Sequence, residues 1–96
     1  MGEKIVVTIY SKPGCHLCDE AKAAISAAGC RDEFELREIN IEDDAELFER
    51  FKYEIPVIFI GEWKAFKYHV TSKEFCDRLH SFQSKTKRRS RFFFGK

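Results

Sequence analysis

The stretch from Lys4 to Cys18, KIVVTIYSKPGCHLC, constrains the fold more than any other part of this 96-residue chain. Residues 4–10 are rich in β-branched side chains and stop at Ser-Lys-Pro-Gly, which predicts a buried strand and then a tight turn. From Cys15 to Ala28, apolar side chains recur at helical spacing. A strand that turns sharply into a helix predicts the start of a βαβ unit. Two cysteines lie at the beginning of its helix.

The remaining sequence continues the alternation of strands and helices. Strands are predicted at 34–41, 56–60 and 63–68, and helices at 44–52 and 72–82. The predicted helix caps are Asp43 or Asp44 for the second helix, Thr71 or Ser72 for the third, and Gly29 at the end of the first. The predicted inward faces carry Leu17, Ala21, Ala24, Ile25 and Ala28, then Leu47, Phe48 and Phe51, then Phe75, Leu79 and Phe82.

The resulting order, β-α-β-α-β-β-α, predicts a small α/β domain with a four-stranded mixed sheet. The first βαβ unit should give two parallel strands through a right-handed crossover. The close pair of strands 56–60 and 63–68 should form an antiparallel hairpin. The second strand of this hairpin lacks a clean alternation of polar and apolar residues, so its two faces are the least clearly defined.

Charge divides the chain into a domain at 1–82 and a basic tail at 83–96. Six of the 17 basic residues and none of the 16 acidic ones lie in the tail, although the net charge of the whole chain is only +1. We expect the tail to be an appended flexible segment, because termini are often poorly ordered. Its three phenylalanines could instead meet a membrane, a partner or nucleic acid.

The apolar runs are too short for a membrane span or a secretory signal, so a cytoplasmic location is expected. Thiols stay reduced in the cytosol, which makes a structural disulfide uncommon there.

The cysteine pair admits three uses, namely metal binding, a structural link or electron exchange. Cys15 is predicted at a helix N-terminus, where free N–H groups and the helix dipole stabilise a thiolate. Cys18 lies one turn further in and could attack a mixed disulfide on Cys15. Redox exchange is favoured, because zinc needs four ligands and the chain has no second Cys-x-x-Cys. Cys30 and Cys76 are single, which is typical of packed apolar residues.

With these motifs in hand, the chain resembles the glutaredoxins, and more closely the small glutaredoxin-like proteins of the thioredoxin superfamily. The resemblance covers about residues 4–82. It is carried by IVVTIYSKPGC, by CHLC and by EIPVIFIGE. It implies a thioredoxin/glutaredoxin-like fold and a thiol-disulfide oxidoreductase, with Cys15 and Cys18 as the catalytic residues.

The same resemblance implies a set of substrate-binding residues. Pro56 would be a cis-proline facing the cysteine pair, and the backbone of Ile55 would pair with a bound peptide or glutathione. Lys12 would contact a glutathione carboxylate or remain a solvated loop lysine. Apart from the resemblance, the position of His16 beside Cys15 could let its positive charge help to stabilise the thiolate, or His16 could be an exposed first-turn residue. The stretch HVTSKEF replaces the Gly-Gly segment of glutaredoxins, and Thr71 and Ser72 could still offer a helix N-terminus to an anion.

The expected function is reduction of protein or glutathione mixed disulfides by an enzyme that is monomeric and binds no cofactor tightly. Glutathione is a possible co-substrate, and either glutathione or a thioredoxin-type reductase would supply electrons. Neither a membrane nor nucleic acid is an expected partner of the domain, and no metal site is predicted. The alternative is a module that binds a peptide or an iron–sulfur cluster through the same groove, with little turnover.

Overall fold

The computed structural model describes residues 4–94, with side chains through residue 83. Its strands are β1 (Ile5–Ser11), β2 (Phe34–Asn40), β3 (Val57–Ile60) and β4 (Trp63–Lys67), and its α-helices are α1 (His16–Ser26), α2 (Ala45–Phe51) and α3 (Ser72–Phe94). Short 3-10 turns at Arg31–Glu33 and Ile41–Asp43 flank β2. The predicted β-α-β-α-β-β-α order is therefore confirmed.

The four strands form one mixed sheet in the order β2-β1-β3-β4. β1 pairs with β2 in parallel and with β3 antiparallel, and β3 and β4 form the expected antiparallel hairpin. The register of this hairpin shifts between Ile58, which pairs with Phe66, and Phe59, which pairs with Lys64, so Ala65 is an extra residue that forms a bulge in β4. Because a bulge breaks the alternation of side chains along a strand, Ala65 and Phe66 both pack against the same apolar cluster. This irregularity accounts for the missing alternation in the sequence of β4.

Each face of the sheet carries its own apolar cluster. The larger cluster lies under α1 and α3 and contains Val7, Ile9, Ala21, Ile25, Ala28, Cys30, Phe34, Ile58, Ile60, Val70, Phe75 and Leu79. The smaller cluster lies under α2 and contains Ile41, Phe51 and Val57, with Tyr10, Leu47, Phe48, Ile55 and Phe59 packed against it. Helices therefore cover both faces of the sheet, as the alternating pattern of the strands requires.

Two details of α1 differ from the expectation. The helix ends at Ser26 with Ala27 as its C-cap, so Gly29 lies beyond the helix end and does not cap it. Leu17 is 42% exposed, because Cys18, Ala21 and Ile25 form the buried face. The inward stripe is therefore rotated by one residue at the start of the helix.

The other two helices begin as predicted. Asp44 caps α2 by accepting hydrogen bonds from the backbone N–H groups of Glu46 and Leu47. The third helix follows Thr71 but continues past the predicted end at residue 82 as far as Phe94. Lysine, arginine and glutamine are good helix formers, and neither glycine nor proline interrupts them before Gly95. Residues 95–96, and the side chains that follow residue 83, lie outside the described part of the protein.

Candidate active site

The candidate site lies at one end of the sheet, where the last residues of β1 meet the first residues of β3. Tyr10 is paired with Val57 across this antiparallel contact. The loop Lys12–Cys15 leaves β1 just beyond the pair, and Ile55 and Pro56 enter β3 just before it. Since β1 and β3 are antiparallel, the C-terminal end of β1 lies beside the N-terminal end of β3. The cysteine motif and the proline segment are therefore at the same end of the sheet.

Cys15 and Cys18 are joined by a disulfide at the start of α1. Cys15 is the N-cap residue, and its Sγ accepts a hydrogen bond of 3.1 Å from the backbone N–H of Cys18. Cys15 is partly exposed, whereas Cys18 is only 1% exposed. The positive φ of Gly14, +78°, turns the chain into the helix immediately before the pair.

This geometry assigns different surroundings to the two sulfurs. The N–H groups of the first helical turn have no partner within the helix, and one of them points at Cys15 Sγ. Such a donor, together with the positive end of the helix dipole, stabilises a thiolate at that position in the reduced protein. Cys18 is only 1% exposed, so an incoming disulfide meets Cys15 first.

Lys12 precedes Cys15 by three residues, and His16 follows Cys15 inside the motif. His16 is the first residue of α1 and is exposed. Lys12 is half-buried and lines a cleft of about 140 Å³ together with Ser11, Pro13, Gly14, Asp19, Lys22, Glu38 and Asn40. Within the described part of the chain Lys12 forms no ion pair, so its ammonium group can meet a substrate carboxylate. The cleft is smaller than the roughly 300–1,000 Å³ of ordinary ligand pockets.

Glu38 is the most constrained charged group of this cleft. Its carboxylate accepts a hydrogen bond of 2.9 Å from Ser11 Oγ and lies 3.0 Å from Lys22 Nζ. Partial burial acts to raise the pKa of Glu38, but the hydrogen bonds from Lys22 and Ser11 outweigh it and hold this pKa below the usual value of a glutamate. The network ties α1 to β2 directly beside the motif loop.

The Ile55–Pro56 peptide bond is cis, as the resemblance implied. Pro56 is buried and its carbonyl accepts a hydrogen bond of 2.9 Å from the N–H of Tyr68. Within residues 4–94, Ile55 forms no backbone hydrogen bond. Its N–H and carbonyl groups are therefore available to an extended peptide that passes the cysteine pair.

Thr71 and Ser72 are both engaged in contacts within the domain. Thr71 Oγ1 accepts a hydrogen bond of 3.1 Å from the N–H of Glu74, and Glu74 Oε1 accepts one of 3.3 Å from the N–H of Thr71. This reciprocal capping box leaves a carboxylate at the start of α3. Ser72 Oγ donates a bond of 2.6 Å to the carbonyl of Ala24 on α1. The helix start is therefore less open to an anion than the sequence indicated.

Three residues near the site were not identified from the sequence. Among the described residues the exposed large apolar side chains are Leu17, Tyr53 and Tyr68. Leu17 lies inside the cysteine motif, Tyr53 precedes Ile55 by two positions, and Tyr68 is bonded to Pro56. Tyr68 also has a φ of +76°, which is unusual for a residue with a side chain. Nothing in the local sequence around these three residues indicated that their side chains are exposed.

The pairing of Cys30 with Cys76 was also missed. The structure joins them in a second disulfide across 46 residues of sequence, and neither residue lies in a spaced motif. Burial of Cys30 in the larger cluster agrees with the prediction of a packed residue. Its covalent link to α3 was not predicted, because a cytosolic location had argued against structural disulfides.

The comparisons with known proteins agree with this geometry. The family model "Glutaredoxin-like domain (DUF836)" matches residues 6–84. The chain belongs to this family. It is 32% identical over 74 residues to the glutaredoxin-like protein YDR286C homolog of Dictyostelium discoideum, with 71% of this chain and 68% of the relative covered.

Two solved structures share the architecture. Protein XcR50 from X. campestris aligns with a TM-score of 0.66 at 23% identity, over 78% of this chain and 96% of that one. Protein Ne2328 from Nitrosomonas europaea aligns with a TM-score of 0.65 at 29% identity, over 82% and 95%. The glutaredoxin-like chain thus has a thioredoxin-like fold, and its family and neighbouring cysteines make it a redox-type protein of that fold.

No group of three or more histidine, cysteine, aspartate or glutamate side chains is placed to hold a metal ion in the part of the chain that the structure describes. No helix there is both long and apolar enough to cross a membrane.

Proposed function

We propose that the protein is a dithiol–disulfide oxidoreductase that reduces protein disulfides or mixed disulfides with glutathione. The supporting observation is the asymmetry of the bonded pair at the start of α1. Cys15 is partly exposed and receives a backbone hydrogen bond, while Cys18 is buried behind it. In this arrangement the accessible Cys15 can attack a substrate disulfide, and the buried Cys18 can then resolve the mixed disulfide on Cys15.

The reaction proceeds by two thiolate displacements. The Cys15 thiolate attacks one sulfur of the substrate disulfide, forms a mixed disulfide and releases the other sulfur as a thiolate. The Cys18 thiolate then attacks Cys15 Sγ, which forms the Cys15–Cys18 bond and releases the second substrate thiolate. The substrate gains two electrons and the protein dithiol loses two, so the bonded pair of this structure is the product state.

Proteins and peptides fit the surroundings of the pair better than small molecules do. The exposed side chains of Leu17, Tyr53 and Tyr68 supply apolar contact area beside the site. The free backbone groups of Ile55 can pair with an extended chain. The adjacent cleft of about 140 Å³ is smaller than an ordinary ligand pocket and is lined by neither cysteine, so it offers glutathione no enclosed site at the pair.

Glutathione is expected to bind weakly for a second reason. Its two ends carry carboxylates, one of which Lys12 can meet. The start of α3 could otherwise take the other, but Thr71 and Glu74 already cap it, and the carboxylate of Glu74 repels an anion there. One missing charge-assisted contact costs about 1.5–3 kcal/mol, or roughly ten- to a hundredfold in affinity. In a reducing compartment such as the cytosol, a thioredoxin-type reductase could supply the electrons instead.

The test is a reduction assay with the oxidised protein. Glutathione with glutathione reductase and NADPH, and thioredoxin reductase with NADPH, are supplied separately, and the release of thiols from a disulfide-bonded peptide is followed. Catalytic turnover with either system supports the oxidoreductase. Stoichiometric peptide binding without turnover under both systems would favour the peptide-binding module instead.

A further inference from the structure

The face of α3 that meets the end of α1 carries three contacts at intervals of four residues. Ser72 donates a hydrogen bond of 2.6 Å to the carbonyl of Ala24, and His80 Nε2 lies 3.1 Å from Glu33 Oε1. Between them, Cys76 is bonded to Cys30. Positions 72, 76 and 80 share one helix face, so these contacts form one line.

The two outer contacts of the line hold α3 in place without the help of the disulfide. The hydrogen bond at Ser72 and the contact at His80 hold α3 on either side of Cys76. The rings of Phe34 and Phe75, with centroids 4.9 Å apart, pack beside them. The Cα atoms of Cys30 and Cys76 are 5.9 Å apart, which is within the range of ordinary disulfides. Closing the bond therefore requires no rearrangement of the backbone.

We propose that Cys30 and Cys76 are a second redox pair, which closes independently of Cys15 and Cys18 and fastens α3 to the chain just after α1. The inference does not depend on the proposed reductase activity. The oxidant is a disulfide compound such as glutathione disulfide, and the consequence of oxidation is a change in the stability of the domain.

The chemistry balances as a dithiol–disulfide exchange. The thiolate of Cys76, the more accessible of the two residues, attacks glutathione disulfide and releases one glutathione. The thiolate of Cys30 then attacks Cys76 Sγ, forms the intramolecular bond and releases the second glutathione. The protein loses two electrons and the two thiol protons, and the oxidant becomes two thiols. Because Cys30 is only 3% exposed, reductants should open this bond more slowly than the Cys15–Cys18 bond.

A bond that closes a loop of this length restricts the unfolded chain strongly. The sequence separation is 46 residues. Disulfides across such loops raise the midpoint of thermal unfolding of a domain this size by about 10–20 °C. If the two thiols are packed side by side but do not form a bond with each other, addition of the oxidant causes no such rise in the unfolding midpoint.

The experiment uses the full chain with Cys15→Ser and Cys18→Ser, so that Cys30 and Cys76 are its only cysteines. The reduced protein is equilibrated with glutathione disulfide, its free thiols are alkylated, and its mass and unfolding midpoint are measured. We expect both thiols to disappear with the loss of two hydrogen atoms and no added glutathione, and the midpoint to rise by about 10–20 °C.

Comparison of two redox states of one protein avoids the loss of packing that a substitution at Cys30 would cause. The matched control adds Cys76→Ala, and its midpoint should not rise with the oxidant. Thiols that stay titratable, a stable glutathione adduct in place of the internal bond, or an unchanged midpoint after the bond has formed would each overturn the proposal.

Discussion

Tyr68 offers a test of how the segment after β4 is built. Its φ of +76° lies in the left-handed region, and its N–H still bonds to Pro56 at 2.9 Å. A residue with a Cβ pays about 1–2 kcal/mol in that conformation, whereas glycine is almost free of the penalty. Glycine in turn loses about 0.4–1 kcal/mol through the greater freedom of the unfolded chain. The net backbone preference for glycine at position 68 is therefore about 0.5–1 kcal/mol.

The comparison that isolates this term is Tyr68→Gly against Tyr68→Ala. Both variants lose the phenol ring, including its contact with Lys67 Nζ at 5.3 Å from the ring centroid, so those losses cancel. The glycine variant should be the more stable by about 0.5–1 kcal/mol in urea unfolding. Ala23→Gly is the control, because Ala23 is exposed inside α1 and glycine there should cost about 1 kcal/mol. A Tyr68→Ala protein as stable as the glycine variant would refute the reasoning.

Two further predictions concern carboxylates around the site. The pKa of Glu38 is lower in the folded protein than its usual value, so the stability that Glu38 contributes is present above its unfolded-state pKa and is lost as the pH falls through the folded-state pKa. Glu38→Gln should therefore lower stability at neutral pH and reduce the acid sensitivity of unfolding, as followed by circular dichroism; an unchanged acid slope would contradict this. Glu74→Gln retains the capping box but removes a negative charge, so the Cys18→Ser protein carrying it should bind glutathione about two- to fivefold more tightly by calorimetry. Glu62→Gln, in the distant β3–β4 turn, should leave that affinity unchanged, and equal affinities in both variants would be contrary to the argument.

The elements that depend on local sequence, namely a strand, a helix cap and a helix start, could be predicted. The β-branched run before the Pro-Gly turn specifies β1, and Asp44 caps α2 as its residue type indicates. The position of Cys15 at the start of a helix followed from the same turn, since a strand, a breaker and an apolar helical pattern follow one another directly between residues 4 and 28. These elements are determined by residues that are close in sequence, so they occur in the structure where the sequence predicts them.

Features that depend on tertiary packing were not predictable in this way. Leu17 and Cys18 both fit a helical stripe, and only the sheet beneath α1 selects Cys18 for burial. The bulge in β4 and the positive φ of Tyr68 arise from how β3 and β4 pair, not from their composition. The sequence suggested that the helix start at Thr71 could bind an anion, but the carboxylate of Glu74 accepts a hydrogen bond from the N–H of Thr71 and occupies that position.

The second cysteine pair shows the same limit over a longer range. Cys30 and Cys76 are 46 residues apart, and only the packing of α3 against the end of α1 brings them together. The length of α3 beyond residue 82 was missed for another reason. Its charged residues were interpreted as a separate tail, although the same residue types favour a helix that has already been started.

The most direct test of the division of work between Cys15 and Cys18 is a trapping measurement. The single variants Cys15→Ser and Cys18→Ser are reduced, mixed with a disulfide-bonded peptide, quenched with acid and mapped by mass spectrometry. The Cys18→Ser protein should accumulate a mixed disulfide on Cys15 and retain some activity on glutathionylated peptide, because attack remains possible and only the internal resolution is lost. The Cys15→Ser protein should form no adduct at position 18 and show no turnover, since Cys18 is 1% exposed. Adduct formation at Cys18 in the Cys15→Ser protein, or equal and complete inactivity of both variants while both remain folded, would contradict the account.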